Sequence, residues 1–399
     1  MKKASITGII GDKMEGRIKL LFVLPSLVTG GAEKVALNIA KFLKREKFLV
    51  KICLFEKKGE LLGEVPKYIE VLNLKKRNRW SFPFLSFRIR KIMKYFQPDI
   101  IVSWLWYATS VVAIANMFQR RKPPFFIAYE PHNHKKDVLY EPFTSLKSFL
   151  INYSHKMTDL VITVSHGAAK DISRSYNLRH NSVKVIYNPI DIHSIQRLAK
   201  EKVTLPFPKR GIPIIVTFGR LIKRKGFDYL IKAFHIVRKE TPCKLLIIGE
   251  GEERTNLEQL VKGLKMEGDI IFLGYQSNPY KFLSSADVFV FSSLWEGFGN
   301  VIVEAMACGV PVIATRCPYG PDEIITHGEN GLLVSVGDVK AIAEAILRLL
   351  REQTLRKRLS EAAKRRAYDF RVEEMVAEYE RTFFEIVRYH NNEKCLRQS

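Results

Sequence analysis

The 399-residue sequence has few cysteines, and none stand close together. Cys53, Cys243, Cys308, Cys317 and Cys395 are odd in number and form no Cys-x-x-Cys pair. That spacing excludes a disulfide framework and a zinc ribbon, and it fits a reducing cytoplasm. Acidic residues are also scarce, 41 Asp and Glu against 65 Lys and Arg, which leaves a net charge of +24. A field of that sign draws nucleic acid, anionic lipid or a polyanionic substrate. Low-complexity tracts and short repeats are missing, and 47% hydrophobic with 27% charged residues is the balance of a globular protein. The residues from Met1 to Asp12 place basic side chains around a broken apolar patch, a poor signal peptide. One long uncharged run, Ile100 to Phe118, is nearly long enough to cross a bilayer. Pro98-Asp99 ahead of it and Thr109-Ser110 inside it divide the run into a buried strand, a turn and a helix.

A chain of this length exceeds one ordinary core, so two domains of about 150 to 200 residues are expected. Strand and helix patterns alternate through both halves, as in α/β proteins built on parallel, doubly wound sheets. Apolar runs predict strands at 19–24, 50–55, 100–104, 125–129, 160–164 and 183–187, with a helix over 32–43 after Gly30-Gly31. A second set follows at 214–218, 244–248, 270–273, 288–291 and 312–314. Between the sets, composition shifts across 195–213 toward Pro206, Pro208, Gly211 and Pro213, which marks the hinge.

The most informative stretch is Glu296-Gly297-Phe298-Gly299-Asn300-Val301 with Glu304 eight residues after Glu296. It follows the strand run Val288 to Phe291 and leads into a helical run closed by Gly309 and Pro311. A glycine loop between strand and helix lets backbone approach a phosphate, and the helix start aims N–H groups and a positive dipole at it. Two carboxylates beside such a site suit sugar hydroxyls. After the first strand of the second half comes Gly219-Arg220-Leu221-Ile222-Lys223-Arg224-Lys225-Gly226. Arg220 supplies a planar fork of donors and Lys225 a mobile point charge, a combination expected around a diphosphate. Lys223 and Arg224 are read as facing solvent.

The Glu-x7-Glu stretch resembles the signature of the family 4 glycosyltransferases, retaining enzymes of the GT-B fold. The resemblance extends from Gly30-Gly31-Ala32-Glu33-Lys34 through Asn188-Pro189-Ile190-Asp191 and Gly219-Arg220 with Lys225-Gly226 to the helix after Asp338. It implies an α/β GT-B architecture of two Rossmann-like domains facing across a cleft. An acceptor-binding domain over 1–200 and a nucleotide-sugar domain over 201–370 are expected. Tyr368-Asp369-Phe370-Arg371 resembles the crossing from which the last helix, 371–399, returns to the first domain. By the same resemblance Arg220 and Lys225 neutralise the departing diphosphate, Glu304 holds ribose hydroxyls and Glu296 the donor sugar. Gly297, Phe298, Gly299, Asn300 and Val301 form the donor loop, Gly249 lies in the turn over the nucleotide, and Tyr275 is a contact for the base. His132, in Glu130-Pro131-His132-Asn133-His134, stands near the donor sugar, and Gly30 and Gly31 admit the acceptor side. No Asp-x-Asp occurs anywhere, so no metal or other cofactor is expected, and the cations serve in its place.

A second basic feature runs from Lys75 to Lys94 and mixes Lys75, Lys76, Arg77 and Arg79 with Trp80, Phe82, Phe84 and Phe87. Cations joined to aromatics resemble an interfacial membrane segment, whereas the bland reading is an amphipathic helix packed on the sheet. The resulting expectation is a cytoplasmic enzyme, peripheral on the inner face of the membrane. It moves a sugar from a nucleoside-diphosphate donor, UDP-hexose or UDP-HexNAc favoured, to a hydroxyl of a lipid-linked glycan. Two other readings stand beside it: a nucleotide-sugar epimerase of the same fold, and a basic nucleic-acid-binding protein. The cations of this chain join no helix-turn-helix, zinc or RNP pattern, so no nucleic acid is expected.

Overall fold

The computed structural model describes residues 16–396 except 77, 79–80, 118–123, 133–143 and 208–210, with side chains through 388 apart from that of residue 180. Apolar runs too short for helices become parallel strands buried on both faces, because each is followed by a helix that crosses back over the sheet. The first sheet holds β1 (Ile18–Leu24), β2 (Phe48–Leu54), β3 (Glu70–Asn73), β4 (Ile100–Trp104), β5 (Phe125–Tyr129), β6 (Leu160–Thr163) and β7 (Val183–Val185). Their order is β3-β2-β1-β4-β5-β6-β7, with Leu20 opposite both Val50 and Ile100. The second sheet holds β8 (Ile214–Phe218), β9 (Lys244–Ile248), β10 (Ile270–Gly274), β11 (Val288–Phe291), β12 (Val312–Thr315) and β13 (Leu332–Val334). It runs β10-β9-β8-β11-β12-β13, with Ile215 opposite both Leu245 and Val288.

Strand order reverses direction between β1 and β4 in one sheet and between β8 and β11 in the other. Crevices open beyond the carboxyl ends of strands at such switch points, and that is where ligands settle in open α/β sheets. Gly30-Gly31 follows β1, Gly219-Arg220 follows β8 and the Glu296 loop follows β11, so this topology gathers them.

The two sheets share one apolar core. Phe298 of the second packs on Tyr187 of the first at 5.6 Å and on Phe370 at 5.3 Å. The chain then crosses back: Ile190 donates its N–H to Phe370 and accepts from Val372, at 3.0 and 2.9 Å. Helix Val372–Leu396 lies against helix Gly31–Phe42 of the first domain, where Phe383 and Phe384 meet Phe48 at 6.1 and 5.1 Å.

The uncharged run from Ile100 is strand β4 followed by helix Leu105–Met117, without the turn expected at Thr109-Ser110. Both residues are buried within the helix because their hydroxyls find partners, Thr109 the carbonyl of Leu105 at 3.1 Å and Ser110 the hydroxyl of Ser154 at 3.3 Å. Among the described residues no helix is long and apolar enough to cross a membrane. The basic aromatic segment is an amphipathic helix, Phe82–Phe96, packed on the first sheet. Leu85, Ile89 and Met93 are buried and Phe82 packs on Tyr107, while Phe84 and Phe87 stay exposed. Lys75 and Lys76 precede it on the surface, and Arg77, Arg79 and Trp80 lie outside the described residues.

Candidate active site

The cationic turn of the second domain is packed backbone to backbone. A Cβ at Gly249, whose φ is +139°, would stand 2.0 Å from the carbonyl oxygen of Gly219, so only glycine lets the two strand-end turns meet. Arg220 projects from this junction, exposed, its guanidinium without a hydrogen bond or ion pair to another described residue. Its charge acts on Glu33 of the first domain. Lys225 closes a single 3₁₀ turn, and its ammonium bonds Glu296 Oε1, to which the Ser293 hydroxyl also donates at 3.2 Å.

Glu296 is held from both sides along the backbone, its N–H on Pro318 O at 2.7 Å and its carbonyl accepting from Tyr319 at 2.8 Å. Its side chain is almost wholly buried. Burial pushes its pKa up, but Lys225 and Arg224, with His132 across the cleft, outweigh that and hold the carboxyl below its ordinary value. Arg224 therefore differs from the solvent-facing role expected of it: it is half-buried, its carbonyl takes the Leu294 N–H at 2.7 Å, and its charge acts on Glu296. Lys223 is exposed, as expected.

Gly297 lets the backbones of the two domains approach closely. Its carbonyl accepts from Ser165 Oγ at 2.9 Å, and a Cβ there would lie 2.3 Å from Pro131 O. That contact brings His132 beside Glu296, while His134 lies outside the described residues. Gly299 then starts helix Asn300–Ala307. Asn300 Oδ1 accepts from Asn188 Nδ2, and Asn188 Oδ1 from the Tyr129 hydroxyl, each at 2.7 Å. This amide chain also brings Gly31 against Asn300, 3.7 Å from where a Cβ would stand to Asn300 Nδ2. Val301 is half-buried behind it.

Glu304, one turn into the helix, is buried and receives Lys34 Nζ of the first domain at 2.9 Å. The same ammonium reaches the Tyr280 hydroxyl at 2.5 Å. Burial pushes the lysine pKa down, yet Glu304 and Tyr280 more than reverse that, so Lys34 is a fixed cation. Burial and Glu304 together raise the Tyr280 hydroxyl, which stays neutral. Beside Lys34, the Glu33 carboxylate folds over Gly30, and burial raises its pKa against the opposing pull of its own backbone and of Arg220. Tyr275 is half exposed at the rim, with its hydroxyl 3.3 Å from Thr29 Oγ1 across the cleft.

The structure thus brings Glu296, Lys225, His132, Gly297, Phe298, Gly299, Asn300, Val301 and Glu304 together, with Gly30, Gly31 and Arg220 at the same crevice and Gly249 and Tyr275 at its edge. Sequence reasoning assigned no role to Lys34, Tyr280, Asn188 or Glu323. Glu323 accepts from the N–H groups of His166 and Gly167 at 2.9 and 3.0 Å and from the Tyr187 hydroxyl at 3.1 Å, a second tie between domains. For Lys34 a signal was present: it falls three and four residues after Gly31 and Gly30, on the helix face that looks into the crevice.

Two parallel-sheet domains that meet across such a crevice, with paired carboxylates and an arginine and lysine turn on the second, define a glycosyltransferase of the GT-B fold. The chain belongs to glycosyltransferase family 4. The model described as Glycosyltransferase Family 4 matches residues 29–194, and that described as Glycosyl transferases group 1 matches residues 204–366. The N-acetylgalactosamine-N,N'-diacetylbacillosaminyl-diphospho-undecaprenol 4-alpha-N-acetylgalactosaminyltransferase of Campylobacter jejuni is 30% identical over 360 residues, 88% of this chain and 95% of that protein. The lipopolysaccharide core biosynthesis glycosyltransferase LpsE of Rhizobium meliloti is 33% identical over 252 residues, 62% of this chain and 72% of that protein. In fold the chain is similar to Anabaena Alr3699/HepE, solved in complex with UDP and glucose, at a TM-score of 0.75 and 23% identity over 92% of this chain and 100% of that one.

Proposed function

We propose that this glycosyltransferase moves a hexose or N-acetylhexosamine from a UDP donor to a hydroxyl of a lipid-linked glycan, with retention at the anomeric carbon and without a metal. The observation that carries the reading is the Lys225–Glu296 pair at the mouth of the Asn300 helix, facing His132 across the cleft. A diphosphate placed over Arg220, Lys225 and that helix start meets cations and N–H groups that need no reorganisation as charge develops on it. The bond from the anomeric carbon to the β-phosphate oxygen breaks, and the acceptor oxygen bonds to the same face. The acceptor proton leaves with UDP. Glu304 then takes the ribose hydroxyls and Glu296 those of the sugar, each bonded to a lysine.

The acceptor class is supported by the name of the Campylobacter relative, which acts on a diphospho-undecaprenol-linked glycan, and by the exposed aromatic and basic face of helix Phe82–Phe96. That face fits a protein lying on the inner surface of a membrane. The test is UDP release from mixed UDP-sugars in the presence of excess chelator, with and without a lipid extract, followed by NMR of the new linkage. Release that depends on the acceptor, survives the chelator and gives the donor's anomeric configuration is expected. Loss restored by magnesium or manganese, or an inverted linkage, overturns the corresponding part.

A further inference from the structure

Away from the donor crevice, the first domain carries another gathering of cations. A cavity of about 380 Å³ opens at the carboxyl ends of β2 and β3, lined by Lys57, Lys58, Lys75, Lys76 and Arg88 together with Asn73 and one carboxylate, Glu56. Lys58 and Lys76 share that carboxylate at 2.6 and 3.7 Å. Arg88 donates one N–H to Leu74 O at 2.7 Å. The side chains of Lys57 and Lys75 make no hydrogen bond or ion pair with another described residue, so five positive groups face a single negative one. Their mutual repulsion is relieved by an anion with several oxygens, and an arginine fork among lysine point charges is suited to phosphoryl groups.

The pocket is built rather than incidental. Lys76 donates its N–H to Phe55 O at 2.9 Å, and Lys75 to Asn73 Oδ1 at 2.8 Å, which fixes both chain ends around the cavity. It is also continuous with the acceptor side of the cleft. Leu27 donates to Lys58 O at 3.0 Å, and Glu60 receives the N–H and hydroxyl of Thr29 at 3.0 and 3.1 Å, immediately before Gly30-Gly31. Two residues lie between Leu27 and Gly30, so their Cα atoms are at most about 11 Å apart along an extended chain.

We infer that this pocket binds a diphosphate. On the reading of a lipid-linked acceptor given above, from which the source follows, that group is the diphosphate joining the glycan to its lipid. With the donor crevice saturated by UMP, which carries no diphosphate, the full chain should bind inorganic pyrophosphate by titration calorimetry. Lys57→Gln with Lys58→Gln should weaken that binding at least about tenfold, the loss expected for charge-assisted contacts. No binding under saturating UMP, or unchanged binding by the variant, overturns the proposal.

Neither lysine belongs to the segment from Lys75 to Lys94, so the double variant should sediment with phosphatidylglycerol vesicles as wild type does. Loss of vesicle binding with pyrophosphate binding intact would assign these cations to lipid headgroups instead. In the transfer assay, KM for a diphosphate-linked lipid acceptor should rise at least about tenfold in the variant, while KM for the same glycan on a neutral lipid stays unchanged. An equal rise for both acceptors overturns the assignment of the source. If wild type uses neither acceptor, the lipid-linked reading fails, and the pyrophosphate titration still decides the pocket.

Discussion

Glu296 and Glu304 lie eight residues apart, each nearly buried and each bonded to a lysine, yet the two pairs are built differently. Lys225 belongs to the same domain as Glu296, and both side chains are shielded, 15% and 11% exposed. Lys34 comes from the other domain and is 40% exposed above a Glu304 that is 5% exposed. The first pair persists however the domains stand, because helix starts and strand ends of one sheet fix both partners. The second exists only while the domains face each other as they do here. One half of the proposed donor site is thus preorganised within a domain, and the other is completed between domains.

The largest effect that would break this distinction belongs to Lys225. Its removal costs a charge-assisted contact to the diphosphate, worth about 1.5 to 3 kcal/mol, and also leaves buried Glu296 without its ammonium, and breaking a buried pair costs about 3 to 5 kcal/mol. Lys225→Ala should therefore lower turnover by at least about a hundredfold, and Arg220→Ala, which loses no such partner, by about tenfold, at one decade per 1.36 kcal/mol. Wild-type turnover in either folded variant removes it from the diphosphate site. Equal losses in the two would show that the Glu296 pairing adds nothing.

An intermediate effect separates the carboxylates themselves. Glu304→Gln should weaken UDP alone by about tenfold, whereas Glu296→Gln should leave UDP affinity near wild type and lower transfer. Calorimetry with the order reversed would exchange their roles.

The smallest effect on the donor site is expected from the basic segment that precedes helix Phe82–Phe96. Replacing Lys75, Lys76, Arg77 and Arg79 with Ser should reduce cosedimentation with anionic liposomes, at roughly 1 kcal/mol for each cation near the surface. Wild-type binding should fade as salt rises, given a Debye length of about 8 Å at physiological strength. UDP affinity should not change, because neither carboxylate pair includes these residues. Altered UDP affinity would mean that the first domain's surface reaches the donor site by a route other than Lys34. Unchanged liposome binding would place the membrane surface elsewhere.

Central strands were legible in the sequence because burial on both faces demands continuous apolar runs, as at Ile100 to Trp104 and Ile214 to Phe218. Two edge strands were not. Glu70–Asn73 is half exposed and Leu332–Val334 is three residues long, so neither carries the pattern that packing imposes on an inner strand. The helical run expected before Gly309 and Pro311 is helix Asn300–Ala307, which starts after Gly299 and ends just before Gly309.

By itself the sequence determined the doubly wound class, the glycine loop between strand and helix, the cationic turn and the spacing of the two glutamates. These are local, each written in a few consecutive residues whose backbone preferences act at short range. Only the tertiary structure decided which cation each glutamate meets. Lys34 and Glu304 are 270 positions apart, and Lys225 and Glu296 are 71 apart. With 65 lysines and arginines in the chain, charge complementarity selects no partner. For Lys34 selection comes from packing of the two sheets, in which Gly297 against Pro131 and Asn188 against Asn300 fix the approach, and for Lys225 it comes from the second sheet, whose β8 and β11 ends set it beside Glu296.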